Sequence, residues 1–276
     1  MIKINELIKF IYKMSLIEDE NKEKVEIKDL ESFPDFKDEN TYTKKQKFLA
    51  EFIGTLLLVF VGSGIGVYTR GDIVPVVFAN GFVVTSLIYA FGRISGAQFN
   101  PSVTIPMFLH SKLNFGELIY YIIAQVTGGL CGSLCVAICN KWNFNKLSST
   151  KINDYLIILN KNDPDNKEMD KWCYISALCC EFILTFGLVT VVFASTIKQN
   201  NFNNLTGLVI GVTLIMLIFT GFNLSGASLN PVRSFAPALF EAIFGGDSTA
   251  IKQIWIYIIG PISGGILASY VSLLFM

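Results

Sequence analysis

A nine-residue motif occurs twice in this chain. Ser95-Gly96-Ala97-Gln98-Phe99-Asn100-Pro101-Ser102-Val103 returns as Ser225-Gly226-Ala227-Ser228-Leu229-Asn230-Pro231-Val232-Arg233. Ser, Gly, Ala, Asn and Pro are held at an offset of 130 residues, from 95 to 225. The same offset carries Glu51-Phe52-Ile53 onto Glu181-Phe182-Ile183, and Gly81 onto Gly211. One register kept across separated segments identifies an internal duplication. Asn is a preferred helix N-cap and Pro suits the first helical position, so each Asn-Pro pair starts a helix entered through a tight Ser-Gly-Ala loop. A single Asn-Pro would mark no more than a turn. Two at matched places in two apolar repeats are built into the fold.

Charge is unevenly spread. Residues 1–48 hold 21 of the 44 Lys, Arg, Asp and Glu, and 52% of the whole chain is hydrophobic, so the remainder has a membrane-protein composition. Six apolar stretches, about 48–68, 74–92, 115–140, 173–196, 205–223 and 253–275, approach or exceed the ~20 residues that cross a hydrocarbon core. The apolar segments after the Asn-Pro pairs, 101–110 and 231–242, are about half that length and are expected to re-enter rather than cross. Irregular backbone at membrane depth survives only where protein buries it or where it lines a water-filled cavity. The Ser-Gly-Ala loops therefore predict such a cavity.

Three spans per repeat is an odd number, so the second copy enters from the opposite face. The expected fold is an all-α membrane protein: six transmembrane helices plus two re-entrant half-helices in two inverted repeats, an architecture used for transport. The repeats run over about 48–140 and 173–275, within a domain of residues 48–276. Gly128 and Gly132 in the third span, and Gly260 and Gly264 in the sixth, have the small-xxx-small spacing of close helix contacts. Ahead lies a polar tail, 1–47, expected to be largely disordered apart from a short amphipathic helix carrying Ile4, Leu7, Ile8 and Ile11. Met14 is an alternative start. Lys44, Lys45 and Lys47 argue for a cytoplasmic N-terminus, whereas the six lysines in loop 141–172 argue the reverse.

Charges inside spans are functional candidates. Glu51 and Glu181 are repeat-related, and no further ionisable residues line a proton path beside them. Each is expected to accept hydrogen bonds from the exposed N–H groups of a re-entrant loop. Arg233 has no counterpart in the first repeat, where Val103 stands, and supplies a fixed positive charge at the mouth of a half-helix. Two half-helix N-termini meeting near the midplane focus positive potential there. The amides of Asn100 and Asn230 donate to a passing oxygen, so protons and cations meet a barrier while small neutral solutes pass in file. The six cysteines, Cys131, Cys135, Cys139, Cys173, Cys179 and Cys180, sit in apolar spans and read as small buried hydrophobes rather than zinc ligands. His110 reads as interfacial packing. No cofactor is implied, no nucleophile–base pair points to an enzyme, and zero net charge without a basic patch gives no nucleic-acid partner.

The duplicated Asn-Pro box with its paired Glu-Phe-Ile resembles the aquaporin, or major intrinsic protein, family over about residues 48–276. That resemblance implies a homotetramer of separate pores in a plasma or vacuolar membrane, with both termini cytoplasmic. It places Asn100, Pro101, Asn230 and Pro231 at the pore centre and Arg233 in the outer constriction. Counting from the boxes puts Asn80, Ile218 and Ala227 beside Arg233, where strict water channels carry an aromatic, a His and a small residue. Ser102 and Val232 stand where the family box ends in Ala, and are expected to abut the opposite half-helix; some plant members of the metalloid-carrying kind share these variants. Ser234 and Tyr257 resemble water channels, whereas Ile258 resembles glycerol channels. The expected function is a passive water channel that also admits small neutral solutes. The alternatives are a facilitator for glycerol, urea or boric acid, and a non-conducting adhesion or scaffold protein of the same fold.

Overall fold

The computed structural model describes residues 42–154, 171–196, 205–272 and 274. The expected tail helix, Met14 and residues 155–170 of the 141–172 loop lie outside the described residues. Helix α1 (Lys44–Tyr68) starts at Thr43, whose hydroxyl accepts the Gln46 N–H while the Gln46 side chain accepts the Thr43 N–H. Helix α2 (Ile73–Ser95) stops at Gly96, which is left-handed at φ 90° as the turn into the loop requires. Asn100 then caps α3 (Pro101–Leu109), its side-chain oxygen accepting the Ser102 N–H. An Asn114–Glu117 capping box opens α4 (Phe115–Cys139). The second repeat repeats the plan with α5 (Lys171–Thr196), α6 (Thr206–Ser225) and α7 (Pro231–Phe240), which Asn230 caps through the Val232 N–H. A π-turn (Glu241–Gly245) and the short α8 (Thr249–Lys252) lead into α9 (Ile254–Ser272).

Six of these helices are long and apolar enough to cross a membrane, as the sequence predicts. The half-helices α3 and α7 have 9 and 10 residues, about 14–15 Å at 1.5 Å per residue. That is half a hydrocarbon core of ~30 Å. Chain order therefore ends α3 on the face where α1 begins, and α7 on the opposite face.

Glycines set the close approaches. A Cβ on Gly128 or Gly132 would lie 2.3 or 2.5 Å from the carbonyl oxygens of Phe52 and Leu56, so α4 lies directly on α1. Gly264 meets the Phe182 carbonyl at 2.2 Å in the same way, joining α9 to α5. The repeat-related Gly81 and Gly211 face each other where α2 crosses α6, each hypothetical Cβ falling 2.7 Å from the other's carbonyl oxygen. Because those obstacles are backbone, Gly81→Ala should cost about 1–3 kcal/mol. A lower thermal midpoint in detergent checks this, and an unchanged midpoint would show that the crossing has slack.

One expectation needs correction. Of the six cysteines only Cys173 is buried; Cys131, Cys135 and Cys180 are half-buried and Cys139 and Cys179 exposed. The spans are apolar on every side, so spacing alone did not show which faces turn outward. His110 packs, its ring 5.2 Å from Phe193 and 5.7 Å from Tyr270.

Candidate functional site

The two loops are bound to buried carboxylates. Glu51 accepts four hydrogen bonds, from the Ser95 hydroxyl (2.6 Å), the Gln98 and Phe99 N–H groups (2.9 and 2.7 Å) and the Gln125 amide (2.8 Å). Glu181 accepts three, from the Ser225 hydroxyl (2.7 Å) and the Ser228 and Leu229 N–H groups (both 2.9 Å). The missing fourth has a simple cause: Pro261 stands in α9 where Gln125 stands in α4. Ala97, Phe99, Ala227 and Leu229 all have φ near 50°, a region unfavourable for residues with a Cβ. Hydrogen bonds to the carboxylates hold the chain there, and the Phe99 ring occupies the space a side chain on Gly54 would need.

One tyrosine completes each support, and neither was singled out for it from sequence. Tyr121 donates to the Ser95 carbonyl at 2.8 Å, and Tyr257 to the Ser225 carbonyl at 2.6 Å. They are related by an offset of 136 residues, from 121 to 257, not 130. Aligning Gly128 with Gly264 would have revealed the pair.

The half-helix tips are cross-braced. Asn100 Nδ2 donates to the Leu229 carbonyl (2.8 Å) and Asn230 Nδ2 to the Phe99 carbonyl (2.9 Å). An amide nitrogen carries two hydrogens, so each Asn keeps one to offer. Both asparagines border a single cavity of about 120 Å³ that also touches Asn80, Ile218, Ala227 and Arg233. At ~10–15 Å³ of such volume per water, it holds a file of several molecules. Thus the four expected constriction residues and the two central asparagines meet in one space, whereas Pro101 and Pro231 lie buried behind it. Asn80 is folded back: its Nδ2 donates to the Val76 carbonyl at 2.8 Å, and its Oδ1 lies over Gly62. Leu58, Val84, Leu188 and Leu214 make most of the remaining wall apolar.

Residues 39–272 match the family described as Major intrinsic protein. The chain belongs to that family. It is 37% identical over 225 residues to "Glycerol uptake facilitator protein-like 6" of Lactiplantibacillus plantarum, a match covering 82% of this chain and 95% of the relative. Aquaporin AqpM of Methanothermobacter marburgensis is 32% identical over 250 residues, with 81% and 94% covered. The X-ray structure of the aquaglyceroporin from Plasmodium falciparum shares the fold, with a TM-score of 0.66 at 21% identity, over 83% of this chain and 95% of that one. As a major intrinsic protein with six apolar spans, the chain is an integral membrane protein.

Within this family frame the box variants behave differently from expectation. Val232 was expected to add bulk where the half-helices meet. Instead its side chain is seated over Gly129 of α4, where a Cβ would come within 2.4 Å of it. The Ser102 carbonyl is seated over Gly265 of α9, and its buried hydroxyl finds no partner among the described residues. Neither residue borders the cavity. Each half-helix thus locks onto the other repeat's third span. Ile258 is half-exposed on the outer face of α9 and also stays away from the cavity.

The start of loop 141–154 was not anticipated as part of the site. Ser148, at φ 56°, presents its carbonyl to Arg233 Nη1 at 3.1 Å. Among the described residues no carboxylate pairs with Arg233. One N–H of the guanidinium is therefore spent on the loop, and others remain for the cavity it borders.

Proposed function

We propose that this protein is a passive channel for water whose constriction also admits other small neutral solutes. The observation that carries the reading is the single cavity joining Asn100, Asn230, Asn80, Ile218, Ala227 and Arg233. Water moves through it by exchanging hydrogen bonds with the free amide hydrogens of Asn100 and Asn230 and with the Arg233 guanidinium, while aliphatic walls hold nothing back. Pro101 and Pro231 start the two half-helices whose N-termini carry partial positive charge, and Arg233 adds a full one. Cations and protons face a barrier there, and neutral solutes do not. Glu51 and Glu181 keep the loops in place. By family likeness the channel works as a homotetramer in a lipid bilayer, one pore per chain, with both termini cytoplasmic. Residues 1–47 then form a cytoplasmic tail ahead of the channel domain at 48–276.

The folded-back Asn80 amide favours a second reading, a facilitator for glycerol, urea or boric acid, since it leaves that side of the constriction wide and spends one of its two amide hydrogens on Val76. One stopped-flow series on reconstituted vesicles with water, glycerol and urea separates the readings. Fast water with slower glycerol or urea supports the first, and solute flux rivalling water supports the second. A channel passing none of them at normal incorporation would instead be an adhesion or scaffold protein. The double substitution Asn80→Phe with Ile218→His narrows the opening and restores a donor. It should keep water flux and abolish the larger solutes; an unchanged solute range would remove these two positions from the filter. Size alone discriminates weakly, by ~10–200-fold per methylene, so the restored donor matters as much as the ring.

A further inference from the structure

Glu241 is a buried carboxylate that neither the duplicated motif nor the pore explains. It opens the π-turn after α7, is 4% exposed, and forms no ion pair among the described residues. Both its oxygens are used by one loop. Oε1 accepts the Leu147 N–H at 2.5 Å, and Oε2 accepts the Ser149 hydroxyl. Ser148, whose carbonyl holds Arg233, lies between these two contacts.

The same short strap is pinned on both sides. Leu147 is fully buried in a cluster with Val136, Ala137 and Phe240. Thr150 shares a hydrogen bond with Ser234, the residue after Arg233. Beyond it, the Ile152 N–H donates to the Gln253 side chain at 2.9 Å and the Asn153 N–H to the Leu224 carbonyl at 3.1 Å. A left-handed residue at Ser148 needs such restraint, because the conformation is costly outside Gly, Asn and Asp. Among these anchors Glu241 alone grips the residues on either side of Ser148, and it does so with charge-assisted bonds.

We propose that Glu241 is a positioning residue for selectivity: by clamping Leu147 and Ser149 it fixes the Ser148 carbonyl, which in turn orients the Arg233 guanidinium over the pore. The proposal deepens the channel reading and rests on it. Glu241 touches no permeant. Its effect reaches the pore through the strap, so it governs which solutes pass rather than whether a path exists.

The test uses the full-length protein in proteoliposomes, with Glu241→Leu and Glu241→Gln, and two readouts. One is hydrogen exchange over the peptide spanning 144–153; the other is the ratio of glycerol to water permeability. In Glu241→Leu the exchange should quicken roughly tenfold or more, the factor for losing about one charge-assisted hydrogen bond. The permeability ratio should rise several-fold. Gln keeps an oxygen for the Leu147 N–H and offers its amide to the Ser149 hydroxyl, so both readouts should return close to those of the unmodified protein. Unchanged exchange overturns the clamp; faster exchange with an unchanged ratio overturns the link to Arg233. Should Glu241→Leu fail to fold, Ser149→Ala removes one of the two bonds and should shift both readouts partway, and no shift overturns the proposal. If the unmodified protein passes neither water nor glycerol, the channel reading fails, while hydrogen exchange still decides whether Glu241 holds the strap.

Discussion

Glu51→Leu should largely abolish the folded protein, and Glu181→Leu should do so less completely. Leucine fills similar space but accepts nothing. In the first repeat it strands the Ser95 hydroxyl, two loop N–H groups and the Gln125 amide. Each buried donor left unpaired costs about 1–3 kcal/mol. Two or three together approach the ~5–15 kcal/mol that holds an ordinary domain together. In the second repeat only the Ser225 hydroxyl and two N–H groups are stranded, because Pro261 makes no demand on Glu181. Glu51→Gln should fall between, since one of its two terminal atoms becomes a donor facing donors. Size-exclusion profiles and thermal midpoints in detergent rank the variants. If Glu51→Leu melted where the unmodified protein does, the loops would be held by the asparagine braces and tyrosines alone.

Arg233→Val should change selectivity more than any other single substitution. It removes the one full positive charge that the described residues place on the cavity wall, the hydrogen bond to Ser148 and a long side chain bordering the cavity. A unit charge 4 Å from a permeating cation is worth ~4 kcal/mol at an effective dielectric near 20. Proton or cation leakage should therefore rise by at least about tenfold, for which ~1.4 kcal/mol is enough. Glycerol flux should rise as well, because the opening widens. Water flux should hold, since Asn100 and Asn230 remain. A pH-sensitive dye inside the vesicles, read beside stopped-flow swelling, measures all three. Normal incorporation with unchanged leakage and solute range would take Arg233 out of the constriction.

Much of this was legible before any coordinates, for local reasons. Asn100-Pro101 and Asn230-Pro231 start helices because capping chemistry is short-range, and Gly96 and Gly226 end the long helices before them because the left-handed turn favours glycine. Both half-helices were read as too short to cross, and the structure ends them within a few residues of the expected limits. Glu51 and Glu181 stood out because a carboxylate in an apolar span must find donors, and the duplicated loops were the nearest supply. Counting back from the boxes also chose Asn80 and Ile218, and both line the cavity beside Asn100 and Asn230.

Side-chain direction was not legible. The third spans follow an offset of 136 rather than 130, so Tyr121 and Tyr257 escaped the search for repeats. Gln125 serves one repeat only and left no pattern to find. Val232 was read as bulk where the two half-helices meet, yet its side chain is seated over Gly129, a contact between residues about a hundred positions apart. Glu241 sat unremarked near the end of the apolar segment 231–242, and only the return of Ser148 and its neighbours over the turn it opens makes it a buried clamp.

Read alone, the residues tell which segments cross, which re-enter, and which polar groups border the cavity. Those follow from hydropathy, capping and the cost of burying an unpaired charge, and each acts over a few residues. The folded chain alone shows which faces meet, that Asn80 folds back on Val76, and that a loop carbonyl holds Arg233. Such contacts are set by packing across the whole bundle, where each side chain takes the direction its distant neighbours leave open.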